Sequence, residues 1–139
     1  MIKKYTDEDF AWLEKWITTA DLLTQFAGSL WTFPLTREQF SSYREVYPNR
    51  FLYLGYQEGA SDPFAMGEII VDDPDDPRLG RLLVGDPAAR GKGAGTGFIR
   101  ELIEESRQLT QAETLFLFMA EDNIPAIRCF FHRLTTVSL

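Results

Sequence analysis

The run from Gly85 to Gly97, GDPAARGKGAGTG, constrains this chain more than any other segment. It lies between an apolar stretch, Leu82-Leu83-Val84, and an amphipathic one carrying Phe98, Ile99, Leu102 and Ile103. A strand that passes through closely spaced glycines into a helix leaves the first helical N–H groups unpaired and pointing outward, with the positive end of the peptide dipoles behind them. A fold built around such a junction offers a phosphate site.

The elements on either side follow from periodicity. Residues 2–5 predict a short first strand, and Thr6 with Asp9 three positions later predicts a boxed helix start before Phe10, Leu13 and Ile17. Residues 21–35, irregular and rich in aromatics, predict a loop or broken helix that covers something. Thr36 and Gln39 predict a second capping box, with Phe40, Tyr43 and Tyr47 on one face of a helix that Pro48 closes. Strands are expected over 51–57, 64–71 and 79–84, paired antiparallel as a meander because their links are short. After the glycines comes a helix to about Leu109, then a strand over 115–119, a parallel crossover. Asp122 or Asn123 caps a last helix with Ile127, Phe130, Phe131 and Leu134 on one stripe. The fold class is α+β, one domain over 1–139.

The net charge of −7 argues against nucleic acid and anionic membranes as partners and favours a cationic small molecule or a protein amine. One cysteine, Cys129, makes no internal disulfide, and one histidine, His132, builds no His-rich metal site. Residues 72–76 could attract a cation, but Pro74 and Pro77 predict a solvated turn, and no metal is expected. The acidic N-terminal stretch and the absence of a long apolar run predict a cytoplasmic protein.

Spacing selects among phosphate motifs. A P-loop needs four residues between its first Gly and Gly-Lys; Gly85 is followed by five, and Gly93 follows Lys92. A dinucleotide fingerprint would need glycine at Thr96 or at Phe98. Arg90, Gly93 and Gly95 instead give R-x-x-G-x-G, which resembles the coenzyme A pyrophosphate loop of the GNAT N-acetyltransferases. The stretch from Asn123 to Phe130 is similar to that family's second conserved region, and residues 33–40 resemble its bacterial members.

The resemblance implies acetyl-CoA as cofactor. Its pantetheine arm would lie along the backbone of Leu82, Leu83 and Val84, in a gap between the fourth and fifth strands. Arg90, Gly91, Lys92, Gly93, Ala94, Gly95 and Thr96 would hold its pyrophosphate, and Asn123 would contact the arm near the thioester as part of the catalytic set. It further implies direct attack of a neutral amine on the thioester, which needs a general base. Glu68 is the candidate base, a carboxylate among apolar neighbours; the competing reading puts it on the solvated face of an alternating strand. Glu121 and Asp122 are further candidates. The acceptor would be a primary amine of a small cationic molecule or a protein N-terminus, shaped by the aromatics from Phe26 to Phe33.

Two departures from the family pattern stand out. Phe130 occupies the position of the family's usual acid, a tyrosine, and the chain past Leu134 is short, with Thr135 and Thr136 in place of a Gly-Phe pair. One short strand fits that shortened C-terminal end, so the edge beside the fifth strand is expected to be open and to pair two copies into a homodimer. A non-catalytic acyl-CoA-binding module is the alternative reading, and a nucleotide-binding protein a third.

Overall fold

The computed structural model describes residues 1–91, 93–112, 114–117 and 136–138. They form one six-stranded sheet in the order β1-β2-β3-β4-β5-β6: Ile2–Lys4, Arg50–Gly55, Ala65–Ile70, Arg78–Val84, Thr114–Leu117 and Thr136–Ser138. Neighbours are antiparallel except β4 and β5, which run parallel and are joined by α4, Ala94–Leu109. The predicted meander and crossover are both present.

Two apolar layers sandwich the sheet, because alternate residues of each strand face opposite sides. Tyr53, Ala65, Ile69, Leu79, Leu82 and Leu115 face α4 and bury Phe98, Ile99 and Leu102. Leu52, Leu54 and Met66 face the other way, against α1 (Phe10–Trp16), α2 (Ala20–Ala27) and α3 (Arg37–Val46). Helix α4 comes unusually close to the sheet. A Cβ on Gly55 would sit 2.5 Å from the Phe98 ring and one on Gly67 2.7 Å from Leu102, so the strand glycines are the sockets for its side chains. Burying Phe98 in such a socket stabilises by roughly 1.5–3 kcal/mol.

Local capping matches the sequence in part. The Asp9 carboxylate accepts from the Thr6 N–H at 2.8 Å, but the turn it closes is a 3-10 turn, Asp7–Asp9, that leads into α1. Thr36 Oγ1 accepts from the Gln39 N–H. The Gln39 amide does not complete the box: it reaches back to Thr32 and Pro34 and pins the preceding loop. Where a loop or broken helix is expected, Thr19 caps a regular helix, α2, by accepting from the Leu22 N–H, and the irregular stretch begins only at Gly28.

The expectation of an uncovered fifth strand is corrected. β6 pairs antiparallel with β5, Thr114 opposite Ser138 and Phe116 opposite Thr136, so three C-terminal residues suffice to cover that edge. Among the described residues no helix is long and apolar enough to cross a membrane, and no group of acidic, His or Cys residues could hold a metal ion.

Candidate functional site

The glycine junction is built as the sequence predicts. β4 ends at Val84, and the N–H groups of Gly85 and Asp86 both donate to the Phe64 carbonyl, turning the chain away from the sheet. The Asp86 carboxylate caps a 3-10 turn, Pro87–Ala89, by accepting from the Ala88 N–H at 3.0 Å. Gly91 and Gly93 then adopt φ of +76° and +81°, and Gly93 is the N-cap of α4. A Cβ on either would meet nothing within 4 Å, so glycine is required there by backbone conformation, and open space lies before the helix start. The first-turn N–H groups of Ala94, Gly95 and Thr96 point into that space by helix geometry. Gly95 itself is buried, its Cα side 3.4 Å from Val84 Cγ2 once a Cβ is placed, which seats the helix end tightly on the strand end.

The Arg90 side chain packs back on the strand. Its Nε donates to the Val84 carbonyl at 3.1 Å, so the side chain folds back and fixes the strand end. A groove of about 360 Å³ runs beside the start of α4, lined by Gly93, Ala94, Gly97 and Phe98 with Tyr56 and Glu101. Lys92 and Asn123 lie outside the described residues, as do Glu121, Asp122, Cys129, Phe130 and His132.

β4 is flanked by β3 on one side and by β5 on the other. It pairs with β3 up to Val84, whereas its pairing with β5 involves Arg78 and Leu79. Beyond them the edge of β4 continues through Leu82, Leu83 and Val84 to the glycine junction. Leu82 is buried against α4 while Leu83 and Val84 are half-buried, so the backbone runs at the surface of the core. An extended polar chain with amide groups fits such an edge, and a diphosphate fits the helix start it leads to.

On the opposite face lies a charged cluster. Glu68, on β3, is 0% exposed, which excludes the solvated-face reading. The Tyr43 hydroxyl, from α3, is 2.8 Å from both Glu68 oxygens. Arg50 Nη1 donates to the Tyr43 oxygen at 3.1 Å. A guanidinium only donates, so it occupies a lone pair of that hydroxyl and leaves its single proton for Glu68. Arg50 is in turn held by Asp72 through Nε and Nη2, at distances down to 2.6 Å. Arg81 Nε stands 3.9 Å from Glu68 Oε1. Burial pushes the Glu68 carboxyl above the usual carboxylate range, opposed by Arg81, the Tyr43 hydrogen bond and Arg50. Burial, with the Glu68 charge beside it, also raises the Tyr43 phenol, which stays protonated.

Arg81 reaches this face through an irregularity. Met66 pairs with Leu83 and Glu68 with Gly80, so Gly67 opposes two residues, Arg81 and Leu82. In unbroken register Arg81 would face α4 with Gly67; the extra residue turns it to the Glu68 side. There it packs over the rings of Trp31 and Tyr43, and Trp31 also stacks near Phe26 and Phe40. The aromatic segment after α2 therefore forms a wall of the cluster.

Sequence reasoning named Glu68 but not its partners. Tyr43 read only as part of a helix face, and Arg50 lay outside the strand expected over 51–57. Arg81 did carry a signal: a charge after Gly80, inside an otherwise apolar strand, marks a bulge. In the acidic turn Asp72 serves Arg50, Asp76 pairs with Arg78, and Asp73 accepts from the Asp75 N–H. Another cleft, about 480 Å³ between α3 and the β1–β2 edge, shares no residue with the glycine junction, and its Arg44 is paired with Asp7.

The sequence model of the acetyltransferase (GNAT) family matches residues 16–134. Among solved structures, the aminoglycoside acetyltransferase AAC(6')-Ib in complex with coenzyme A has a TM-score of 0.72 at 20% identity, over 93% of this chain and 79% of that one. A domain from Methanocaldococcus jannaschii gives 0.73 at 20% identity, over 93% and 82%. Spermidine N-acetyltransferase from Vibrio cholerae, in complex with CoA and spermine, gives 0.70 at 10% identity, over 93% and 76%. At these identities the likeness is one of fold. No curated protein matches the chain.

Proposed function

The chain belongs to the acetyltransferase (GNAT) family, and on that premise we propose that it transfers an acetyl group from acetyl-CoA to a primary amine, with Glu68 as general base. The observation that carries this reading is a wholly buried carboxylate at the β4 bulge, one strand from the backbone that leads into the glycine junction. The similar aminoglycoside and spermidine enzymes, solved with CoA, support the cofactor and an amine acceptor. Bound acetyl-CoA supplies the electrophilic thioester.

The chain's own residues divide the remaining work. The N–H groups of Gly93, Ala94, Gly95 and Thr96 hold the diphosphate, with Gly91 and Lys92 beside them; Arg90 holds the strand end in place. The backbone of Leu82, Leu83 and Val84 receives the arm, and Asn123 completes its thioester end. Glu68 takes the ammonium proton, while Tyr43 and Arg50 fix its orientation. The lone cysteine suits a cytoplasmic setting. The outer edge of β6, unpartnered among the described residues, is where two copies join as a homodimer.

Titration of the protein with acetyl-CoA and with ATP, followed by thiol release across an amine panel, tests the reading. Binding of acetyl-CoA with turnover of at least one amine is expected. Heat with ATP and none with acetyl-CoA overturns it.

A further inference from the structure

Arg81 is held in a conformation that needs a reason. Its φ of +50° is in the left-handed region, which costs a non-glycine residue about 1–2 kcal/mol. The bulge responsible for that φ is also what aims the guanidinium at Glu68. Once there, it is poorly used: Nε is buried and has no hydrogen-bond partner among the described residues. The 3.9 Å to Glu68 exceeds hydrogen-bond range, and the single proton of the Tyr43 hydroxyl is what hydrogen-bonds Glu68 instead. Arg50, on the same face, is by contrast saturated by Asp72 and Tyr43.

A buried donor without a partner is costly, and a guanidinium presents a planar fork that matches a carboxylate in two parallel bonds. Arg81 lies over the Trp31 and Tyr43 rings, its guanidinium carbon 5.7 and 5.4 Å from their centroids, and the side chain keeps 18% of its surface accessible. The charge balance of the face leads to the same ligand. Arg50 is neutralised by Asp72. When Glu68 takes the proton of an incoming ammonium it becomes neutral, and among the described residues of this face Arg81 remains as the uncompensated charge. A carboxylate on the acceptor restores neutrality; a polyamine or aminoglycoside would set further cations against Arg81 in a poorly solvated site.

We infer that the acceptor is a small amine that itself carries a carboxylate, an amino acid, and that Arg81 is the residue that holds this carboxylate; the inference rests on the acetyltransferase reading above. The protein's overall charge of −7 does not oppose it, because charges beyond about 10 Å are screened in solution while Arg81 meets the ligand directly.

The test compares amino acids with their own carboxamides and decarboxylated amines, with spermidine and kanamycin as polycationic members. Affinity for the CoA-saturated protein is measured by calorimetry and turnover by thiol release. Carboxylate members should bind and react about tenfold or more better than their amides. Arg81→Gln keeps a Cβ and so the same backbone demand; it should bring that ratio close to one while leaving CoA affinity unchanged, and Arg81→Lys should recover part of it. Amides or polyamines equal to the carboxylates, or an unchanged ratio in Arg81→Gln, overturn the inference, and the wild-type comparison decides alone where the variant does not fold. Carboxylate-selective binding without thiol release upholds Arg81 and overturns acetyl transfer. Thiol release with polyamines alone does the reverse.

Discussion

A carboxylate with no exposed surface is an odd choice for stability, and Glu68 shows the conflict in one residue. Burial raises its carboxyl above the usual carboxylate range, with Arg81, Tyr43 and Arg50 pulling the other way. For a group whose folded pKa is raised, the stability contribution is complete below the unfolded value and is lost as pH rises through the folded one. Wild type should therefore lose thermal stability relative to Glu68→Gln as pH rises from roughly 4. The same substitution should lower kcat/KM by roughly 100-fold or more. A variant that is inactive yet no less stable above that window separates a catalytic carboxylate from a structural one; thermal midpoints across pH read the difference. Activity needs ionised Glu68, so kcat/KM should climb with pH through the raised value. Tyr43→Phe removes one of the interactions that favour the ionised form, and it should move that limb to higher pH. It also leaves Arg50 Nη1 without its acceptor, at a cost of about 1–3 kcal/mol in denaturant unfolding.

At the scale of elements, α4 joins the two halves of the reading, because one helix both packs the core and ends in the glycine junction. Its packing depends on missing side chains in the strands beneath it. Gly55→Ala places a methyl group 2.5 Å from the Phe98 ring and should destabilise by about 1–3 kcal/mol. Gly97, within the helix and with nothing within 4 Å of its Cβ position, is the contrast: Gly97→Ala should stabilise by roughly 0.5–1 kcal/mol. Urea unfolding of the pair checks both signs. At the helix start, Gly93→Glu puts a carboxylate where the diphosphate belongs and forces a φ of +81° on a residue with a Cβ. Acetyl-CoA affinity by calorimetry should be lost, while stability falls only by the backbone strain, about 1–2 kcal/mol. Retained affinity would move the diphosphate elsewhere.

These elements also show what the sequence makes legible. The order of strands, α3 and α4 could be read because each carries its own periodicity and punctuation: Thr36 before Phe40 and Tyr43, Gly93 before Phe98 and Leu102. Helix α2 was obscured because eight residues bury only Leu23 and Phe26, too few for a clear period. The Glu68 cluster was legible only as one carboxylate. Tyr43 joins it through the packing of α3 on the sheet, and Arg50 and Arg81 through strand register and a bulge; these are properties of contact between distant segments and leave little trace in any one of them.

Among the described residues the sheet is open, with two edges to manage. β1 is three residues long, its Lys3 and Lys4 are exposed, and its N-terminal amine is held by Glu101 and the Tyr56 carbonyl. A short strand carrying lysines resists edge pairing. β6 is equally short but lies at the other end, on β5, and the sequence Thr136-Val137-Ser138 brings no charge to it. Self-association of the sheet is therefore expected at β6. Sedimentation velocity at micromolar concentration should show a dimer. Val137→Pro, which removes a backbone donor and cannot join a new ladder, should return it to monomer with acetyl-CoA affinity retained, since β4 and α4 carry the cofactor site. A monomeric wild type ends the dimer proposal. A dimer indifferent to Val137→Pro would place the interface on another surface.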